Sequence, residues 1–273
     1  MLKIAVVTDV YKGSGLGNYL RSRELFFFLK EKKLSVNFFL YLKFLSNKNS
    51  YDIIIIDLPL KAYNLKFLSK YSNSLLVSLD HYQKYKVDAN ISIFKKSSYA
   101  KKNFVNLKYS IIRGEFKNYK ASLLENLLFI SIGSSYIKNK RIFLKKKYSK
   151  FFKKIFLSEI ISRKLDKSYN NQKNFILNMK NCLLGISNAG TTLLELIYFK
   201  KIVIVYPQNS SEKKFAFFLK RNGFKIFINP IKVNYNFLKK ILNYKQKQRV
   251  IDDRGVYRIW SITYKLYNKK LLK

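Results

Sequence analysis

With 273 residues, 48 % of them hydrophobic, the chain is long enough for one large core or two ordinary ones, and apolar runs recurring from end to end exclude a disordered chain. Its 55 Lys and Arg against 15 Asp and Glu give a net charge of +40, which has three readings in this order: composition biased toward Lys, Asn, Ile, Phe and Tyr; attraction to an anionic membrane or acidic ligand; and nucleic acid. Nucleic acid ranks last because the lysines are spread along the chain without an Arg-rich arm or a recognisable nucleic-acid motif.

The chain opens on Lys3–Thr8, a continuous apolar strand, and reaches Asp9 too early for a signal-peptide core. Then comes Lys12-Gly13-Ser14-Gly15-Leu16-Gly17-Asn18-Tyr19-Leu20-Arg21. Gly15 and Gly17 allow a tight turn and close approach of a ligand to the backbone, and the helix predicted over Gly17–Lys33 offers free N–H groups to an anion. Asn18 and Arg21, three residues apart, share one side of that helix. The other reading is a glycine turn that serves geometry alone. Further strands are predicted at Val36–Leu42, Asp52–Asp57, Leu75–Asp80 and Asn90–Phe94, with a helix over Ala62–Lys70. Asp9, Asp57 and Asp80 each close an apolar run. Carboxylates at strand ends on one sheet edge suit a general base or a sugar hydroxyl ligand, although they are more often turn residues.

A second series starts after the aperiodic stretch Tyr109–Lys120: strands at Leu127–Ile132, Lys154–Ser158, Leu183–Ser187, Ile202–Tyr206 and Lys225–Ile228, and helices over Thr192–Lys200 and Ser211–Asn222. Continuous apolar strands alternating with helices indicate parallel sheets covered on both faces. The expected fold is therefore α/β, with two Rossmann-like domains facing across a cleft: residues 1–120 with the Gly-rich turn, and residues 121–273, the second ending in a basic helical segment that could brace the first half. Gly133 and Ser134 form a small-residue turn after the first strand of the second series. In Gly185-Ile186-Ser187-Asn188-Ala189-Gly190-Thr191-Thr192-Leu193-Leu194-Glu195 a strand ends in small residues and a helix begins. Gly190, Thr191 and Thr192 suit a diphosphate, and Glu195 a ribose; equally, Thr192 and Glu195 have the spacing of a capping box. Tyr206-Pro207-Gln208-Asn209-Ser210-Ser211-Glu212 is a third strand end, with Ser211 a candidate ligand or an ordinary cap.

No run approaches the ~20 apolar residues of a membrane span. A cytoplasmic protein is expected, peripheral at the inner face of the membrane if its charge serves that contact. The single Cys182 excludes an internal disulfide and reads as a buried small hydrophobe; the single His81 excludes a His-rich metal site. With no Asp-x-Asp pair, no metal is expected, and no cofactor.

Taken together, these motifs resemble the PseG/SpsG family, which has the two-domain GT-B layout related to MurG. Gly15-Leu16-Gly17-Asn18-Tyr19-Leu20-Arg21 stands at the family's Gly-x-Gly-His-x-x-Arg turn. Tyr109-Ser110-Ile111-Ile112-Arg113-Gly114-Glu115-Phe116 reproduces its Tyr-x-x-x-Arg-x-Glu-Phe segment, and Ser187–Glu195 its Ser-x-x-Gly-(Ser/Thr)-Thr-x-x-Glu nucleotide motif. The resemblance implies a UDP-sugar substrate and a hydrolase that releases UDP from a UDP-linked amino sugar, on the way to pseudaminic acid or surface polysaccharide. Two departures qualify it. Asn18 replaces the family's histidine and cannot take a proton near neutral pH; Ser211-Glu212 replaces its Asn-Gln pair. Asp57 or Asp9 would then substitute as base, with Arg21 near the phosphates. A GT-B glycosyltransferase with a membrane or polyanionic acceptor, and a catalytically altered nucleotide-sugar binder, are the competing readings.

Overall fold

The computed structural model describes residues 1–10, 16–59, 63–80, 84–117, 125–132, 138–158, 169–230, 233–243 and 251–272. The chain divides into two compact units, Met1–Gly114 with Asp252–Lys273, and Glu115–Ile251. Each is an α/β unit on an all-parallel sheet, which establishes the expected fold class.

In the first unit β1 (Lys3–Thr8), α1 (Gly17–Glu31), β2 (Ser35–Leu40), α2 (Tyr41–Leu45), β3 (Ile53–Asp57), a 3-10 helix (Lys66–Tyr71), β4 (Leu75–Leu79), β5 (Val87–Ser92) and β6 (Ala100–Val105) lead to α3 (Gly114–Lys117). Strand order is β2-β1-β3-β4-β5-β6. Successive side chains leave opposite faces of a strand. Ile4, Val6, Ile53 and Ile55 accordingly join Leu25 and Leu29 of α1 in one core layer, while Ala5, Val7, Ile54 and Ile56 pack with Tyr41, Phe44 and Leu68 in the other. Burial on both faces is why these strands read as unbroken apolar runs.

The second unit runs β7 (Glu125–Ser131), α4 (Lys138–Ser149), β8 (Lys154–Leu157), α5 (Tyr169–Asn181), β9 (Cys182–Ser187), α6 (Thr191–Tyr198), β10 (Ile202–Val205), α7 (Ser210–Arg221), β11 (Ile226–Ile228) and α8 (Tyr235–Leu242), in strand order β11-β10-β9-β7-β8. Leu144 and Tyr148 of α4 and Leu238 and Ile241 of α8 share one core layer with Leu128, Ile130, Leu184, Ile186 and Ile204. Gly185, of opposite parity, lies under α6. A Cβ there would sit 2.8 Å from both Cδ atoms of the fully buried Leu196. Gly185→Ala is therefore expected to cost about 1–3 kcal/mol by overpacking, read as a lower denaturant midpoint for this unit. Cys182 is buried, and burial pushes its thiol up to about 12, so it is a packing residue and not a nucleophile.

The chain then returns to the first unit as α9 (Gly255–Leu271). This differs from the expected division at residue 120 with residues 121–273 as one domain. The physical reason is an apolar stripe: Val256 and Ile259 are buried with Tyr109 and Ile111, and Trp260, Ile262 and Leu266 pack beside them. Arg258 fastens the helix start, donating to the Lys108 carbonyl at 3.0 Å and to both Asp252 carboxylate oxygens at 2.6 Å. That pairing holds the Asp252 carboxyl below its usual range.

Three further differences have local causes. The edge strand β6 was not expected, because its Lys101 and Lys102 are exposed and its pattern is polar. Helix α4 hides behind its lysines, with only Leu144 and Tyr148 among its described side chains reaching the core. The helix expected over Ala62–Lys70 is, among its described residues, the 3-10 helix Lys66–Tyr71.

Candidate functional site

Open parallel sheets bind ligands at the carboxyl ends of strands, where the strand order reverses. In the first unit that point lies between β1 and β3, since β1 leads outward to β2 and β3 leads the other way to β4. The register sets Thr8 beside Asp57, and the Thr8 hydroxyl donates to the Asp57 carbonyl at 2.9 Å.

Helix α1 starts above this point. Its polar residues Asn18, Arg21 and Ser22 line one side and continue into Leu25 and Leu29, so a single helix face passes from sheet edge to core. The Asn18 amide donates to Asp57 Oδ1 at 2.7 Å. Arg21 Nε donates to Asp57 Oδ2 at 2.6 Å and Arg21 Nη2 to Oδ1, a bidentate pair. The Ser22 hydroxyl donates to Oδ2 at 3.0 Å. Arg21 Nη1 reaches Asp80, whose other oxygen accepts from the Ser92 hydroxyl at 2.6 Å. Asp80 takes up the left-handed region, φ 48°, to present its carboxylate this way.

Asp57 is fully buried, and four donors occupy its oxygens. A carboxylate with its lone pairs so filled has none to offer a water or an acceptor hydroxyl. Arg21, expected beside phosphates, has its charge taken up by two carboxylates, which leaves the trio net negative and unwelcoming to a pyrophosphate. The geometry makes Asp57 and Arg21 a brace. Asp9 differs. It lies half-buried at the end of β1, accepts one bond from Val10 N–H at 2.9 Å and one from the Tyr63 hydroxyl at 2.8 Å, and retains lone pairs. Gly17 opens α1, whose N-cap position, Leu16, makes no side-chain hydrogen bond. Gly15, His81, Gly133 and Ser134 lie outside the described residues.

In the second unit the order reverses between β7 and β9, and Ser131 pairs with Ser187 there. Gly190, Thr191 and Thr192 follow, half-buried. Helix α6 begins at Thr191 with Gly190 as N-cap and no side-chain cap, so the capping-box reading of Thr192 and Glu195 does not hold. The uncapped N–H groups and positive dipole end form an anion-ready turn. Glu195 is 1 % exposed, so its carboxylate reaches a ribose only after its neighbours shift.

Sequence reasoning missed the clamp beside this turn. Glu212 accepts from the Asn188 amide at 2.8 Å and from Gln208 N–H at 2.7 Å, tying the β9–α6 turn to the β10–α7 turn. Asn209 caps α7 through Glu212 N–H at 2.9 Å, with Ser211 in the first turn, half-buried. The signal was present as the capping spacing Asn209-x-x-Glu212. Ser22, Tyr63 and Ser92 were missed as well. Of these only Ser22 carried a signal, as a polar residue on the inward face of α1.

No protein-family model matches the chain, and no curated protein matches it in sequence. In structure it is similar to MurG of Acinetobacter baumannii, with a TM-score of 0.54 and 10% identity over 96% of this chain and 99% of that one. It is similar to the glycotransferase of kitacinnamycin, at 0.55 and 9% over 97% and 94%. The wall teichoic acid polymerase TagF gives 0.51 and 9% over 98% and 90%. At these identities the likeness speaks for the fold, and that fold, two parallel-sheet α/β domains, is the one found in GT-B glycosyltransferases.

Proposed function

We propose that this chain is a glycosyltransferase acting on a nucleotide-activated sugar, a UDP-sugar in the first instance. Gly190, Thr191 and Thr192 hold the diphosphate at the start of α6, and Asp9 serves as base toward the acceptor. One observation carries the proposal: the uncapped start of α6 falls at the point of the second sheet where the strand order reverses. The likeness in fold to MurG and the kitacinnamycin glycotransferase supports transfer. Ser211 and the clamped Asn188 border the same turn and complete the donor side. Gly15, Gly133 and Ser134 belong to the proposal from sequence alone, and the division into an acceptor-side domain 1–120 and a nucleotide-side domain is carried with α9 assigned to the first. No metal or cofactor enters.

Hydrolysis of the PseG type is the second reading, favoured by the Tyr109–Phe116 segment, whose Tyr109 and Phe116 are both buried. Against it stands the occupancy of Asp57, whose oxygens are taken by Asn18, Arg21 and Ser22 and which is therefore not available to activate water beside Asn18.

The test is incubation with UDP-sugars, following UDP and free sugar. Transfer predicts UDP release that needs an acceptor, and hydrolysis predicts free sugar without one. Binding without release, the outcome for an altered paralogue, would overturn both. Asp9→Asn is expected to lower kcat by about 10²–10⁴ with the unfolding temperature unchanged, the loss typical of a removed general base. Retained activity would remove Asp9 from the role.

A further inference from the structure

We propose that the α4–α8 face of the second unit docks on an anionic lipid bilayer. Helix α4 turns Leu144 and Tyr148 into the core and leaves Ile142 43% and Phe143 58% exposed. The next turn carries Lys145 and Lys146, both exposed, and Lys147, whose ammonium lies 5.9 Å from the Phe143 ring centre. Helix α8 packs on the same side of the sheet and presents Lys239, Lys240 and a 69% exposed Tyr235. Neither helix contains an acidic residue.

Adjacent aliphatic and aromatic side chains among lysines match the headgroup–acyl boundary. The apolar pair sinks a few ångströms, while the ammonium groups stay with lipid phosphates. A polyphosphate would need the lysines and leave Ile142 without a role. A second copy of a chain carrying +40 is repelled by its own charge. Charge complementarity therefore selects the lipid.

The test is flotation of the full chain with vesicles of phosphatidylcholine alone or mixed with phosphatidylglycerol, at low salt. Binding to the mixed vesicles only is expected. Ile142→Ser with Phe143→Ser, both at exposed positions, is expected to weaken partitioning by about tenfold or more. Lys145→Ser with Lys146→Ser is expected to do the same, since each surface lysine contributes roughly fivefold. The matched pair Lys213→Ser with Lys214→Ser on α7 is expected to weaken it by less than about threefold. As a reading independent of loss, Phe143→Trp in a Trp260→Phe background should shift its emission to the blue on mixed vesicles.

Equal loss in both lysine pairs would reduce the effect to bulk charge and overturn the proposal. Unchanged binding after the Ile142 and Phe143 substitutions, an unshifted emission, or binding to a duplex oligonucleotide with none to vesicles would overturn it as well.

Discussion

Asp57→Ala is expected to destabilise the first unit by about 3–5 kcal/mol, the summed cost of leaving several buried donors without their acceptor. The substitution strips acceptors from Asn18, Arg21 and Ser22 at once, and Ser22 is fully buried. The guanidinium loses its bidentate partner and keeps its pairing with Asp80, while its own side chain is only 16% exposed. Water cannot replace the lost carboxylate at that depth without opening the start of α1. In thermal unfolding this corresponds to a midpoint lower by about 10 °C or more for a unit of this size. The mechanism makes a second statement that simple cavity formation does not. Arg21→Met combined with Asp57→Ala should cost less than the sum of the two single changes, since each single change already deletes the same Arg21–Asp57 pair. Additive losses, or an Asp57→Ala cost under about 1 kcal/mol, would show that the brace is not what holds the edge.

Gly255→Ala is expected to be comparably severe for a different reason. A Cβ at this position would lie 1.9 Å from the Ser110 carbonyl oxygen and 2.6 Å from its carbon. These are backbone atoms, and a flexible side chain cannot step aside for it. The first turn of α9 must therefore lift from the Leu107–Ser110 segment, and with it Val256 and Ile259, which fill the core layer beside Tyr109 and Ile111. Loss of that docking is expected to exceed about 3 kcal/mol, beyond the usual range for one added methyl group in a core. Limited proteolysis should release the C-terminal segment from Gly255→Ala under conditions that leave the wild type intact. An unchanged cleavage pattern and denaturant midpoint would mean that the contact relaxes cheaply.

Much of the architecture was legible because parallel strands buried on both faces leave a plain trace. Ile53–Ile56 contains no polar residue, and both faces of β3 are packed. Elements with one thin apolar stripe left almost none. α4 contributes Leu144 and Tyr148 to the core from a segment otherwise rich in lysine. For α9 the sequence offered a basic C-terminal helical segment that could brace the first half but did not fix its assignment, because helical spacing reveals an apolar face and does not say which sheet receives it. At the site, strand-end position was enough to bring Asn18, Arg21, Asp57 and Asp80 to one edge. Which side chain occupies which was not, since that follows from the β1–β3 register and the helix rotation above it. Hence Arg21 meets carboxylates where the sequence suggested phosphates, and Asp9, equal to Asp57 in sequence terms, is the carboxylate left with capacity.

The wide substrate question narrows to one turn. If Gly190, Thr191 and Thr192 receive a diphosphate, a negative charge fixed at the N-cap should expel it while leaving the helix sound. Gly190 has extended backbone angles, φ −114° and ψ −159°, which any residue adopts, and aspartate is a favoured N-cap. Calorimetric titration of UDP into wild type and Gly190→Asp is the most direct test. The expected result is measurable binding by the wild type and a loss of about a hundredfold or more in Gly190→Asp, at equal or higher thermal stability. Equal affinity in the two proteins, or no binding of UDP or a UDP-sugar by the wild type, would contradict the assignment of this turn to the nucleotide.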